Sequence, residues 1–83
     1  MHTFTTRGVC SRQINFDIVD GKVHNVSFQG GCDGNLKAIS KLVEGQPVDW
    51  VVSTLQGNTC GRRSTSCADQ FAQALQAAEA GEI

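Results

Sequence analysis

Apolar and polar residues alternate along two segments in the first third of the chain. This period of two is typical of strands that bury one face. The apolar positions of the two segments are Ile14, Phe16 and Ile18, followed by Val26 and Phe28. A Thr-rich stretch, residues 2–7, has the same strand character and precedes them. The pattern therefore predicts three consecutive strands.

Asp20-Gly21 supplies the turn between the second and third predicted strands. The apolar positions on both strands carry even numbers, so residues that pair directly across the hairpin must have an even sum. A two-residue loop gives an odd sum, which would turn the apolar face of one strand outward. The numbering therefore predicts a three-residue loop with Gly21 in the left-handed region.

The period changes to that of a helix after the glycine-rich stretch Gly30-Gly31-Cys32-Asp33-Gly34-Asn35. Leu36, Ile39 and Val43 share one face at helical spacing, and Gly45 ends this first helix. A second helix is predicted to follow at once. It runs from Pro47 or Val48 to Leu55, with an apolar stripe of Trp50, Val51 and Leu55.

The last predicted helix begins with Thr65 or Ser66 as its N-cap and ends at Gly81. Its apolar stripe consists of Ala68, Phe71, Ala72, Leu75 and Ala78. Three strands followed by helices predict an α+β fold, in which a three-stranded antiparallel sheet is covered on one face. We expect residues 1–83 to form a single domain.

Composition narrows the function classes. The chain has 83 residues, seven of them Lys or Arg and eight Asp or Glu, with a net charge of −1. Nucleic-acid-binding domains usually carry a basic excess, so we expect no nucleic-acid partner. A domain of this size buries only about 60–65% of its unfolded surface. A metal ion, a disulfide or a partner chain, including a second copy in a homodimer, would therefore add needed stability.

The sequence predicts a cytoplasmic protein without a membrane span. The N-terminal residues 1–7 lack the apolar core of a signal peptide. No apolar run approaches the length that crosses a bilayer. Thiols in such a compartment serve metal or redox sites more often than structural disulfides. A secreted, disulfide-bonded domain remains the alternative if the chain is a processed fragment.

The four cysteines are the main candidates for a functional site. Cys10, Cys32, Cys60 and Cys67 all fall at the ends of predicted elements, where side chains from different elements can converge. Cys32 and Cys67 open helices, whose free N–H groups and positive dipole stabilise thiolate over thiol. No CxxC pair is present, so the spacing alone is weak evidence for a metal.

Three interpretations of the cysteines stay open on this basis. The first is a metal site of three or four thiolates, most simply for Zn²⁺. The second is a dithiol or disulfide pair of Cys60 and Cys67 with a redox role. The third is a set of inert thiols buried in the core.

Several polar residues flank these cysteines. Asp33 and Asn35 are candidates for capping the first helix or for hydrogen-bonding a ligand sulfur. Ser66 is also expected to lie around the metal ligands. Arg62 and Arg63 would offset the charge of −2 that four thiolates around Zn²⁺ carry. Asp69 is expected to complement the dipole of the last helix. No Ser-His-Asp arrangement or carboxylate pair is discernible, so no catalytic residue is predicted.

With these residues placed, the chain resembles the TSCPD domain family, named for its Thr-Ser-Cys-Pro-Asp motif. The match runs over almost the whole chain, in the segments Gly8-Val9-Cys10, Asp20-Gly21, Phe28 to Asn35, Leu42-Val43-Glu44-Gly45, Cys60-Gly61 and Thr65-Ser66-Cys67-Ala68-Asp69-Gln70. Ala68 replaces the proline of the motif, at a position in the first helical turn where alanine also fits.

In that family the domain stands alone or forms the C-terminus of adenosylcobalamin-dependent ribonucleotide reductases. The resemblance implies an accessory domain that binds metal or supplies thiols, with a ribonucleotide reductase or another protein as its partner. It does not imply a reductase by itself, because 83 residues cannot hold the large catalytic barrel.

The predicted architecture is also similar to iron–sulfur scaffold proteins of the NifU/IscU type. Cys10, Cys32 and Cys67 match the three cluster ligands of those proteins in order and setting. Arg12 stands where the scaffolds have aspartate, and Ser66 stands where many have histidine. An added Cys60 closes a four-thiolate set, and closed sites are usually structural. Zinc is therefore expected, with an iron–sulfur cluster as the alternative.

Overall fold

The computed structural model describes residues 1–9, 11–31, 33–59, 61 and 64–83. Three strands come first along the chain: β1 (His2–Thr5), β2 (Ser11–Val19) and β3 (Lys22–Gly30). Three helices follow: α1 (Asp33–Val43), α2 (Val48–Leu55) and α3 (Cys67–Glu79). The strands form an antiparallel sheet in the order β1-β2-β3. This arrangement confirms the predicted α+β fold.

The β2–β3 hairpin has a shorter loop than the sequence predicted. Val19 pairs with Lys22, so only Asp20 and Gly21 form the turn. Their φ angles are 52° and 74°, and positive φ at both central residues is the mark of a type I′ turn. The prediction of a three-residue loop was therefore wrong.

One extra residue is needed to keep the apolar positions of both strands on the same face of the sheet. It lies inside β3. Asp17 pairs with His24 whereas Asn15 pairs with Ser27, so β3 has one more residue than β2 in this interval. Asn25 has a φ of 56° and forms part of this bulge. The bulge exchanges the two faces of the strand. Residues on both sides of it can therefore contribute their apolar positions to the same core.

The core lies between the sheet and the helices α2 and α3. Phe16 and Phe71 meet edge to face with ring centroids 5.8 Å apart, a favourable geometry for aromatic pairs. The largest fully buried side chains are Phe16, Phe71, Ile14, Leu75, Val23, Val48 and Val51. The predicted stripe of α3 is confirmed in its buried members Ala68, Phe71, Ala72 and Leu75.

The apolar face of α2 differs from the predicted stripe at one position. Trp50 is 50% exposed, whereas Val48 and Val51 are buried. Val48, Val51 and Leu55 follow the spacing i, i+3, i+7, so they share a face from which Trp50 is displaced. None of the described helices is long and apolar enough to cross a membrane.

Candidate metal centre

Cys67 is the one predicted metal ligand within the described residues. It is the first residue of α3, and its thiol is free and half-buried. Cys10, Cys32 and Cys60 lie outside the described residues, so the roles expected of them stay predictions. The same holds for the charge compensation expected from Arg62 and Arg63 and for the side chain of Asp33.

Ser11 contacts Cys67 from the start of β2. Its Oγ donates a hydrogen bond to Cys67 Sγ at 3.2 Å, and Ser11 is only 2% exposed. A register shift between Ser11 and Gln13 gives β2 one extra residue at Arg12. Because this bulge exchanges the faces of the strand, Ser11 lies on the side of the sheet that α3 covers. The residue that follows Cys10 is thus anchored at the Cys67 sulfur.

The backbone of Gly31 lies against the same strand end. A Cβ atom on Gly31 would lie 2.8 Å from Leu36 Cδ1 and 3.1 Å from the backbone nitrogen of Ser11. The φ of 83° at Gly31 is also one that other residues rarely adopt. Glycine at this position therefore permits the close approach of the residue before Cys32 to the residue after Cys10.

Ser66 ties the segment before the last helix to the helix itself. Its Oγ accepts a hydrogen bond from the backbone N–H of Asp69 at 3.1 Å, which confirms Ser66 as the N-cap of α3. The same hydroxyl donates to the carbonyl of Asn58. The capping residue thus also holds the chain two positions before Cys60.

Asp69 holds both ends of the segment that separates α2 from α3. Its carboxylate accepts the backbone N–H of Gly57 at 2.7 Å, the hydroxyl of Thr65 at 2.5 Å and the amide of Gln73 at 2.9 Å. These bonds join residues 57 and 65 to the first turn of α3.

The environment of Asp69 favours its charged form although the residue is only 7% exposed. The hydrogen bond from the Thr65 hydroxyl, followed by that from the Gly57 N–H, lowers the pKa of the Asp69 carboxyl against the opposing effect of burial. The sequence predicted only an interaction of Asp69 with the helix dipole and not these hydrogen bonds. The spacing of Ser66 and Asp69, three residues apart as in a capping box, was the signal available in the sequence.

Asn35 and Arg12, the other polar residues considered near the cysteines, are both exposed. Within the described part of the chain, no three His, Cys, Asp or Glu side chains form a group that could hold a metal ion. The described residues therefore supply one thiol and its polar surroundings.

The family model of the TSCPD domain matches residues 2–79. The chain therefore belongs to the TSCPD domain family. No curated protein and no solved structure gave a significant match. The similarity to NifU/IscU scaffolds accordingly stays a prediction.

Proposed function

We propose that this domain binds one metal ion, most simply Zn²⁺, through Cys10, Cys32, Cys60 and Cys67. The observation that carries the proposal is the hydrogen bond of 3.2 Å from Ser11 Oγ to Cys67 Sγ. It joins the chain next to the first cysteine with the last cysteine, which is 56 positions away.

Chain connectivity extends this argument to the other two cysteines. Consecutive Cα atoms lie about 3.8 Å apart, so the described residues next to a cysteine limit the region in which the proposal places its thiol. Gly31, which precedes Cys32, packs against Ser11. Asn58, two residues before Cys60, is hydrogen-bonded to Ser66, which precedes Cys67. The described neighbours of the four cysteines, namely Ser11, Gly31, Asn58 and Ser66, thus lie close to the first turn of α3.

The donor chemistry fits zinc. Four thiolates form a closed tetrahedral set of the kind that stabilises small folds. Ser11, which already donates to Cys67 Sγ, would orient that sulfur and compensate part of its charge. The bound ion would supply stability that the small apolar core lacks.

The biological role that we propose is accessory to ribonucleotide reduction or a related process, in contact with a reductase or another protein. This part of the proposal is supported by membership of the TSCPD family and by the resemblance of the sequence to the domain at the C-terminus of those reductases. The site as proposed is structural, so no residue is assigned a catalytic step.

Metal analysis of anaerobically purified, tag-free protein tests the proposal directly. About one zinc per chain, with thiols that titrate only after denaturation, is the expected result. Iron with matching sulfide would favour the scaffold alternative instead. Four thiols that titrate freely in a metal-free, folded protein would overturn both metal sites and leave the redox pair or plain packing.

Two substitutions sharpen this test. Cys67→Ser should abolish stoichiometric zinc binding, because it removes a ligand. Ser11→Ala should keep one zinc per chain but weaken its affinity by about 10–100-fold, the effect typical of losing a hydrogen bond to a ligand. Ser53→Ala, at an exposed serine of α2, is the matched control and should leave the affinity unchanged. Equal affinities of all three variants would contradict the site.

A further inference from the structure

Strand β3 forms one edge of the sheet, and the residues that the structure describes cover only the beginning of that edge. Val23 donates its N–H to the carbonyl of Gln46 at 2.9 Å and accepts the N–H of Gly45 at 2.7 Å. The carboxylate of Glu44 accepts the N–H of Asn25 at 2.9 Å. Residues 44–47 thus close the edge of β3 up to the bulge.

The described part of the chain leaves the second half of the same edge open. Among the described residues, no backbone of another element pairs with residues 26–30 on the side away from β2. A groove of about 410 Å³ runs there between β3 and α1. This volume lies within the range of ligand-binding clefts. Unpaired N–H and C=O groups on an edge strand are a template for a further strand.

The walls of the groove combine apolar and basic groups. Val26, Phe28 and Leu36 line it together with Lys37 and Lys41 of α1. The two lysines are one helical turn apart, which separates them by about 6 Å along the helix axis. Alternate residues of an extended strand are about 6.8 Å apart and point to the same side. Acidic side chains at alternate positions of a strand therefore match the spacing of the two lysines.

We propose that residues 26–30 bind an extended peptide of a partner protein that carries Asp or Glu at two alternate positions. The peptide backbone would pair with the open edge of β3, and its two carboxylates would meet Lys37 and Lys41. Backbone pairing gives affinity in such strand addition, and the side-chain contacts give specificity. This inference goes beyond the metal site and does not depend on it.

The charges argue against a second copy of this chain as the occupant. Strand β3 contains two basic or titratable cationic residues, Lys22 and His24, and no Asp or Glu. The other edge strand, β1, has no acidic residue either. Neither edge strand of a second copy would offer carboxylates to Lys37 and Lys41.

Titration of isotope-labelled protein, in the metal state in which it is purified, tests the proposal by amide chemical shifts. The probe is a capped pentapeptide in which valine alternates with glutamate, compared with its counterpart that has glutamine for glutamate. The glutamate peptide should shift the amides of residues 26–31 and of α1, and it should bind more tightly than the glutamine peptide. The difference should shrink at high salt.

Charge reversal tests whether Lys37 and Lys41 contact the carboxylates of the peptide. Lys37→Glu with Lys41→Glu should weaken the glutamate peptide by about tenfold or more, because two attractions become repulsions. Lys22→Glu is the control for either single reversal, Lys37→Glu or Lys41→Glu, because it changes the net charge equally on the part of β3 that residues 44–47 cover. This control should change the affinity less than twofold.

Methylated peptides separate strand addition from simple binding of an anion. N-methyl groups on the amides of one edge of the peptide should abolish binding, whereas methylation of the other edge should be tolerated. Equal effects of the two methylations, or equal binding of free glutamate, would overturn the proposal. Shifts of residues 26–30 that depend on protein concentration without peptide would also overturn it, in favour of self-association.

Discussion

The middle of α3 and its first turn are stabilised by different kinds of interaction. In the middle, Phe71 and Leu75 are fully buried among apolar side chains of the sheet and of α2. In the first turn, the buried residues Ser66 and Asp69 are held by directional hydrogen bonds to Asn58, Gly57 and Thr65. Both regions are buried, but the apolar contacts depend on side-chain volume, whereas the polar contacts depend on specific hydrogen-bond partners.

This difference has consequences for function. Apolar packing tolerates exchange among side chains of similar volume, whereas a buried polar group is costly as soon as one partner is missing. The polar turn contains Cys67 and holds the segment that carries Cys60. We call the core around Phe71 and Leu75 the apolar half, and the first turn of α3 with its hydrogen-bonded partners the polar half. We therefore expect the apolar half to determine the stability of the fold with or without metal, and the polar half to determine the metal affinity.

Phe71→Ala should have the largest effect on stability. The side chain packs edge to face against both Phe16 and Phe28, at 5.8 Å in each pair. Removing a buried phenylalanine side chain costs about 3–5 kcal/mol. Urea unfolding should show this loss with and without a chelator. Leu42→Ala truncates an apolar residue that is 71% exposed and should change the free energy of unfolding by less than about 0.5 kcal/mol. A similar loss in both variants would contradict the comparison.

Asp69→Asn should act on the polar half. The amide has the size of the carboxylate but lacks its charge and one acceptor oxygen, so at least one of the three donors loses its partner. We expect a loss of about 1–3 kcal/mol in the free energy of unfolding. Zinc affinity should fall as well, because the segment from Gly57 to Thr65 is released.

Asp49→Asn is the matched control for that substitution. Asp49 also lies in the first turn of a helix, but it is exposed. Its loss should cost only the dipole contribution, about 0.3–1 kcal/mol, without a change in zinc affinity. Comparable zinc affinities of the Asp49 and Asp69 variants would show that the polar turn does not organise the metal site.

Gly31→Ala tests the close approach of β3 to β2 beside the site. The new Cβ atom would meet Leu36 Cδ1 at 2.8 Å, and the φ of 83° adds a cost of about 1–2 kcal/mol. We expect a loss of at least that size in thermal or urea unfolding. Gly34→Ala, in α1 with no atom within 4 Å of the new Cβ, should be neutral or stabilising. Equal stabilities of the two variants would refute the close contact.

The sequence predicted the structure of the apolar half better than that of the polar half. The period of the apolar residues in α3 depends on helix geometry alone, so its face could be read from residues such as Phe71 and Leu75. The hairpin shows the limit of this method. The numbering correctly required one extra residue, but it could not distinguish a longer loop from a bulge at Asn25. Asn tolerates positive φ better than most residues, which was the one local signal for the bulge.

The polar half depends on contacts that no local pattern encodes. The burial of Ser11 follows from the bulge at Arg12, which changes the face on which Ser11 lies. The bonds of Asp69 require Gly57 to return to the helix from 12 positions away. The sequence pattern therefore predicted Cys67 at a helix start beside the cap Ser66, but it gave no signal for the hydrogen bond from Ser11 to Cys67 or for that from Gly57 to Asp69.

A substitution at Glu44 should have the smallest effect on stability. Glu44 accepts hydrogen bonds from a neighbouring segment as Asp69 does, but it is exposed. Its carboxylate also holds a neighbouring segment, through the N–H of Asn25 at 2.9 Å and His24 Nδ1 at 2.6 Å. The bond from the Asn25 N–H, followed by that from His24, lowers the pKa of the Glu44 carboxyl.

A lowered pKa in the folded state gives stability that is present above the ordinary pKa of glutamate, about 4.3, and is lost as pH falls through the lowered value. The stability difference between the original protein and Glu44→Gln should therefore be small at neutral pH and should shrink below about pH 4. Urea unfolding across this range measures it. Since solvent screens this exposed contact, we expect it to matter less than the buried bonds of Asp69. An effect of Glu44→Gln at neutral pH as large as that of Asp69→Asn would show that burial is not what distinguishes the first turn of α3.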